Sequence, residues 1–161
     1  MLNAKGILQR LLENDIDFVL VGGLAATMYG AATVTYDVDV CLDFSIGNIQ
    51  KLLIALEDVR PRVRVQKKWR SLQELPLKQI ADLKNLYLQT DCGGLDLLGS
   101  LTEIGGYEEA RRHSTEITVF NRPCRILKIE DLLNIKERMD RPKDRQVVLE
   151  LKAILEKQSR K

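Results

Sequence analysis

Asp37-Val38-Asp39 is the segment of this 161-residue chain whose residue types and spacing best suit chemistry. Val38–Phe44 alternates apolar and polar, the period of a half-buried strand. Asp37, Asp39, Cys41 and Asp43 therefore share one face, and Val38, Val40, Leu42 and Phe44 the other. Two carboxylates a few ångströms apart repel unless a cation lies between them. Oxygen donors at that spacing suit Mg2+ or Mn2+ rather than zinc. The pair alone is weak evidence, because 12 aspartates in 161 residues deliver about one D-x-D by chance. A second pair, Asp15-Ile16-Asp17, falls at a helix-to-strand turn, where capping is the ordinary role.

What surrounds the Asp37–Asp39 strand adds weight. Phe18–Val21 is a short apolar run that reads as a buried strand, broken by Gly22–Gly23 and followed by a short helix closed at Gly30. The two glycines allow close backbone approach, and the N–H groups of the next helix start can face an anion. A phosphate held there, beside a cation on a neighbouring strand, is an arrangement for phosphoryl or nucleotidyl transfer. A plain strand-to-helix turn would use the same residues.

The other elements follow from periodicity. Residues 3–14 carry Ile7, Leu8, Leu11 and Leu12 at helical spacing, and Ser45 precedes a helix with Ile46, Ile49, Leu52, Leu53 and Leu56 on one side. Residues 60–76, with two prolines and many cations, give no clear pattern. Leu77–Lys84 reads as a helix. Leu86–Thr90 and Leu95–Leu98 flank Asp91-Cys92-Gly93-Gly94 as a hairpin, and Ile117–Phe120 and Cys124–Ile129 flank Asn121-Arg122-Pro123 as another. A short helix is expected near Tyr107–Arg112 and two more at Glu130–Met139 and Asp144–Lys157, with Asp144 as the N-cap of the last. The order points to an α+β fold: a small mixed β-sheet flanked by helices, with C-terminal helices. We expect one domain over 1–161, with a core of about 1–128 and a helical segment from 129.

Val21-Gly22-Gly23-Leu24-Ala25, Tyr29-Gly30 and Thr35-Tyr36-Asp37-Val38-Asp39 together resemble the signature of the polymerase-β-type nucleotidyltransferase superfamily. The similarity is greatest to the small bacterial branch that includes AbiEii-like toxins and uncharacterised relatives. The ending, Ile129-Glu130-Asp131-Leu132-Leu133 with Lys136 and then Arg141-Pro142-Lys143-Asp144, also resembles that branch. The resemblance implies that Asp37, Asp39 and Asp96, the last within Gly94-Leu95-Asp96-Leu97-Leu98, hold two Mg2+ (or Mn2+) ions and are catalytic. It implies an NTP substrate at Gly22, Gly23 and Thr35. It implies transfer of a nucleoside monophosphate to an acceptor hydroxyl on RNA, protein or a small molecule. A role as the toxin of a toxin–antitoxin pair, with an antitoxin-like protein partner, belongs to the same expectation. Two departures stand out: Thr33 occupies a position where many relatives have arginine, and the turn lacks the serine of the commoner G-S form. A catalytically silent nucleotide-binding or protein-interaction module of the same fold is the alternative.

Lys136, on a helix apolar at Leu132, Leu133 and Ile135, and Lys143, after Pro142, are candidate phosphate contacts; solvated surface lysines would read the same way. Asp96 alternates with Gly94 and Leu98 and so can share the face of Asp37 and Asp39, although a hairpin aspartate can equally face solvent. Arg60, Arg62, Arg64, Lys67, Lys68 and Arg70 gather six cations around Trp69. That is either a surface for an RNA or tRNA acceptor or a charged edge strand. The net charge of +2 excludes a global attraction to nucleic acid, so any attraction is local. A lone histidine, His113, argues against a catalytic triad and a histidine zinc site. Three scattered cysteines, Cys41, Cys92 and Cys124, point to reduced thiols and a cytoplasmic setting, with no apolar run that suits a membrane span.

Overall fold

The computed structural model describes residues 1–160. Asn3 caps helix α1 (Ala4–Glu13), its side-chain carbonyl accepting the Gly6 N–H at 2.9 Å. Strand β1 (Phe18–Val21) is buried along its whole length, as its unbroken apolar run requires. Helix α2 (Gly22–Met28) follows without a linker and ends before Gly30 at φ +109°, a conformation glycine adopts freely. Strand β2 (Asp37–Leu42) keeps the expected alternation, with Val38 and Val40 fully buried and Asp37 and Asp39 half-buried. Helix α3 (Ile46–Leu56) buries Ile49, Leu52 and Leu56. These join Ile7 and Leu11 of α1 and Val38, Val40 and Leu42 in the hydrophobic core.

The unreadable stretch is a hairpin, β3 (Arg62–Val65) and β4 (Lys68–Ser71). Its turn residues Gln66 and Lys67 both have positive φ, with no glycine or asparagine to announce them. After helix α4 (Leu77–Ala81), shorter than the expected Leu77–Lys84, come β5 (Asn85–Thr90) and β6 (Gly93–Leu98). Two-residue strands β7 (Ser100–Leu101) and β8 (Gly105–Gly106) pair with each other and lead to α5 (Tyr107–Arg112). The second hairpin, β9 (Ser114–Val119) and β10 (Arg122–Leu127), turns at Phe120–Asn121, both at positive φ. The turn therefore lies one residue earlier than the proline suggests. Helices α6 (Ile129–Met139) and α7 (Pro142–Ser159) finish the chain.

Eight strands form one mixed sheet in the order β4-β3-β5-β6-β2-β1-β10-β9. The pairs β2–β6 and β1–β10 are parallel, and the rest are antiparallel. Helices α2 and α5 each pack on β1 and β2, and α6 packs on α2 and α7. Tyr29 donates its hydroxyl to the Leu127 carbonyl at 2.8 Å, tying the end of α2 to β10. Glu150 accepts the Ala32 N–H, tying the loop before β2 to α7. No helix among the described residues is long and apolar enough to cross a membrane.

Candidate active site

The parallel register of β2 on β6 sets Asp39 beside Asp96 and Asp37 beside Gly94. Neighbouring strands lie about 4.8 Å apart and paired residues share a face, so the three carboxylates are neighbours on one face of the sheet. Glycines make the room. A methyl on Gly94 would sit 2.8 Å from the Asp37 carboxyl carbon, and one on Gly22 would sit 2.9 Å from that of Asp39. Gly22 also has φ +69°, so both space and backbone call for glycine there. At Gly23 the added methyl would meet Thr35 at 3.2 Å, while the Thr35 hydroxyl donates to the Asp37 carbonyl at 2.7 Å. Thr35 thus hydrogen-bonds the start of β2 while lying against the start of α2.

The electrostatics follow from that crowding. Burial, and then the charges of Asp39 and Asp37, push the Asp96 carboxyl up to about 7. The rise favours the protonated form of Asp96 beside the Asp39 carboxylate. Burial raises Asp39 as well, with the Asp37 charge in the same direction. The hydrogen bond from Asp96 and the positive charges of Lys136 and Lys143 oppose the rise. Cys41, two residues further along β2, is fully buried, and burial pushes its thiol up to about 11, as for an inert thiol.

The cations come from the C-terminal helices. Lys136 on α6 is buried and donates to Asp144 at 3.2 Å. Asp144, 1% exposed, also accepts from Arg141 at 2.6 and 3.2 Å. Burial alone would raise Asp144, but the hydrogen bonds from Arg141 and Lys136 outweigh it and hold the carboxyl below its ordinary value. Asp144 is therefore not the N-cap expected from sequence. Arg141 occupies that position, Pro142 opens the helix, and Asp144 turns inward from the first turn to meet two cations. Lys143, beside it, is exposed.

Among the described residues no cluster of three or more His, Cys, Asp or Glu is already gathered as a ligand set. The donor chemistry nevertheless fits a hard divalent ion: three carboxylates on one sheet face, glycines around them and a proton that such an ion would displace. His113, the lone histidine, is engaged elsewhere, with Nδ1 3.1 Å from Asp131.

The basic cluster does not form one patch. Arg60 is paired with Asp91 at 2.8 Å and Arg70 with Glu74 at 3.7 Å. Lys68 and Arg70 lie opposite Val65 and Val63, on the face away from the aspartates, whereas Trp69 lies opposite Arg64. Arg62 lies opposite Gln89, so Arg62 and Arg64 share the face of Gln89 and Tyr87, and Tyr87 lies opposite Asp96. Tyr87 is a residue that sequence reasoning missed. Its only signal was the alternation of Leu86, Leu88 and Thr90 inward against Tyr87 and Gln89 outward.

The sequence matches no family model and no curated protein. Ten solved chains match in structure. One is the lincosamide antibiotic adenylyltransferase LnuA with lincomycin bound: TM-score 0.63, 18% identity, 95% of this chain and 98% of that one. Another is the antibiotic-resistance factor ANT(2'')-Ia in solution, at 0.57 and 16%, covering 97% and 89%. Its complex with adenylyl-2''-tobramycin aligns at 0.53 and 15%, covering 93% and 91%. At these identities the likeness is one of architecture, and the fold is that of the nucleotidyltransferases.

Proposed function

We propose that this protein is a metal-dependent nucleotidyltransferase that moves a nucleoside monophosphate from an NTP to an acceptor hydroxyl. The observation that supports it most is the register that brings Asp37, Asp39 and Asp96 onto one sheet face beside the Gly22–Gly23 bend. Asp37, Asp39 and Asp96 would hold Mg2+ or Mn2+, which supplies charge neutralisation at the transferring phosphate. Gly22 and Gly23 would let the triphosphate approach the backbone beside Thr35, and Lys136 and Lys143, whose charges reach Asp39, would contact the phosphates. The acceptor oxygen bonds to the α-phosphorus, the bond from that phosphorus to the β-phosphate bridge breaks, and pyrophosphate leaves. Asp96, once its own proton is displaced, takes the acceptor's proton.

The acceptor is an RNA or another polyanion, a reading supported by the outward cations of the β3–β4 hairpin. Placement in the branch with AbiEii-like toxins, and with it an antitoxin-like partner, rests on the residues 129–144. Turnover of labelled NTPs with Mg2+, paired with calorimetry of NTP binding, tests the assignment. Asp39→Asn should abolish transfer by at least about 1000-fold while the far-UV spectrum and melting remain those of a folded chain. Binding without any transfer in the unmodified protein would identify a silent nucleotide-binding module instead.

A further inference from the structure

The sheet face that carries the aspartates continues, uncovered, across β5, β3 and β4. Crossing the strands in register from Asp39, one meets Asp96 and then Tyr87; one residue past the last β3–β5 pair, Val63 with Leu88, Arg64 follows on the same face of β3, opposite Trp69. The neighbouring rung runs Asp37, Gly94, Gln89, Arg62, Ser71. Tyr87 and Trp69 are each 57% exposed, and Gln89, Arg62 and Arg64 are exposed with them, although sheet faces are normally packed or polar. Their inward neighbours, Val63, Leu88 and Leu95, are buried, so the exposure belongs to this face and not to a loose edge. Three strand spacings separate Asp96 from Trp69, about 14 Å. No acidic residue lies on these two rungs beyond the three aspartates themselves.

We infer that this face is the acceptor-binding platform and that it takes a single-stranded nucleic-acid end, with bases stacked on Tyr87 and Trp69 and phosphates on Arg62 and Arg64. The chemistry performed on that end rests on the transfer reading above; the binding surface does not. Aromatic rings alternating with cations suit single strands because every base offers a π-face, and a duplex hides those faces. The register leads such a strand toward Asp96, with Tyr87 as the ring next to the acid and so the residue that sets the terminal base. A cationic or apolar small acceptor gains nothing from the two arginines.

The test is fluorescence anisotropy with a labelled 12-nucleotide single strand, as RNA and as DNA, against a duplex of the same sequence. The unmodified protein should bind the single strand at least about tenfold more tightly than the duplex. Tyr87→Ala and Trp69→Ala should each weaken it about tenfold or more, and Tyr87→Phe should restore it. Arg62→Glu with Arg64→Glu should remove most of the salt dependence. The RNA and DNA arms report which sugar the site accepts. Equal binding of duplex and single strand, or indifference to both alanine changes, overturns the inference. Asp39→Asn separates the two proposals. Oligonucleotide binding that survives while no variant transfers anything defeats the enzyme assignment and leaves the platform, whereas transfer to another acceptor, insensitive to Tyr87→Ala, does the reverse.

Discussion

At the scale of single residues the acidic cluster is held under tension. Asp96 titrates at about 7 in the fold, against about 3.9 in an unfolded chain. The signs follow directly. Below pH 4 the carboxyl is protonated in both states and contributes nothing. Between 4 and 7 the folded state holds the extra proton, so stability falls as pH rises, and above 7 the full cost remains. We expect the cation-free protein to lose stability from this source between pH 4 and 8, by less than the full shift implies because solvent reaches the half-buried carboxyl. Asp96→Asn should flatten that slope in urea unfolding followed by circular dichroism. Millimolar Mg2+ should raise the melting temperature of the unmodified protein most above pH 7, and that of Asp96→Asn little. Gly94→Ala makes a different demand. The added methyl clashes with the movable Asp37 carboxylate, the group nearest to it, so it should leave melting within a few degrees while cutting transfer at least about tenfold. Gly22→Ala meets Asp39 and also forces alanine to φ +69°, so it should lose stability too, by about 1 kcal/mol or more.

At the scale of elements, strands carry the acids and the two C-terminal helices carry the cations. Asp144 joins α6 to α7 by accepting from Lys136 and Arg141. Its pKa is depressed, so its stabilisation is fully present above the ordinary carboxylate range and is lost in acid, opposite in sense to Asp96. Asp144→Asn leaves the buried Lys136 ammonium without its counter-charge, and we expect a loss of about 2–4 kcal/mol at pH 7. The same variant should raise KM for NTP more than it lowers kcat, because Lys136 would swing away from the phosphates; an unchanged KM would restrict Asp144 to a structural role. These elements differ in how plainly the sequence announces them. The β2 pair was legible because strict alternation fixes which side chains share a face, whereas Asp96 came from the family resemblance, its alternation with Gly94 and Leu98 only allowing the shared face that the β2–β6 register provides. The hairpin at 62–71 was not, since Gln66 and Lys67 take positive φ without the residues that usually do so. Asp144 was misread because an acid near a helix start is ordinarily a cap, and only the fold of α6 back onto α7 reveals two cations waiting for it. Pairings distant in sequence, such as β1 with β10, leave no local trace at all.

At the scale of the whole molecule, one apolar core runs from the first helix to the last: Ile7 and Leu11 share it with Val63, Leu72, Leu95, Leu132, Val147 and Leu151. The segment from 129 onward is therefore no appendage. Its Leu132 and Leu151 are 1% and 0% exposed, and Glu150 stitches it to the site-bearing half by accepting the Ala32 N–H. We expect the chain to unfold as one cooperative unit. Trp69, the only tryptophan, sits on β4 at one edge of the sheet, whereas most of the helical signal at 222 nm comes from α1, α3, α6 and α7. Urea unfolding followed by Trp69 fluorescence and by far-UV circular dichroism should give coincident midpoints, and Mg2+ with NTP should move both by the same amount. A fluorescence transition that precedes the helical one would mean that the β3–β4 hairpin opens by itself. The platform would then be a mobile flap rather than a rigid continuation of the strands that carry the acids, and the path from Trp69 to Asp96 would exist only when a ligand holds it closed.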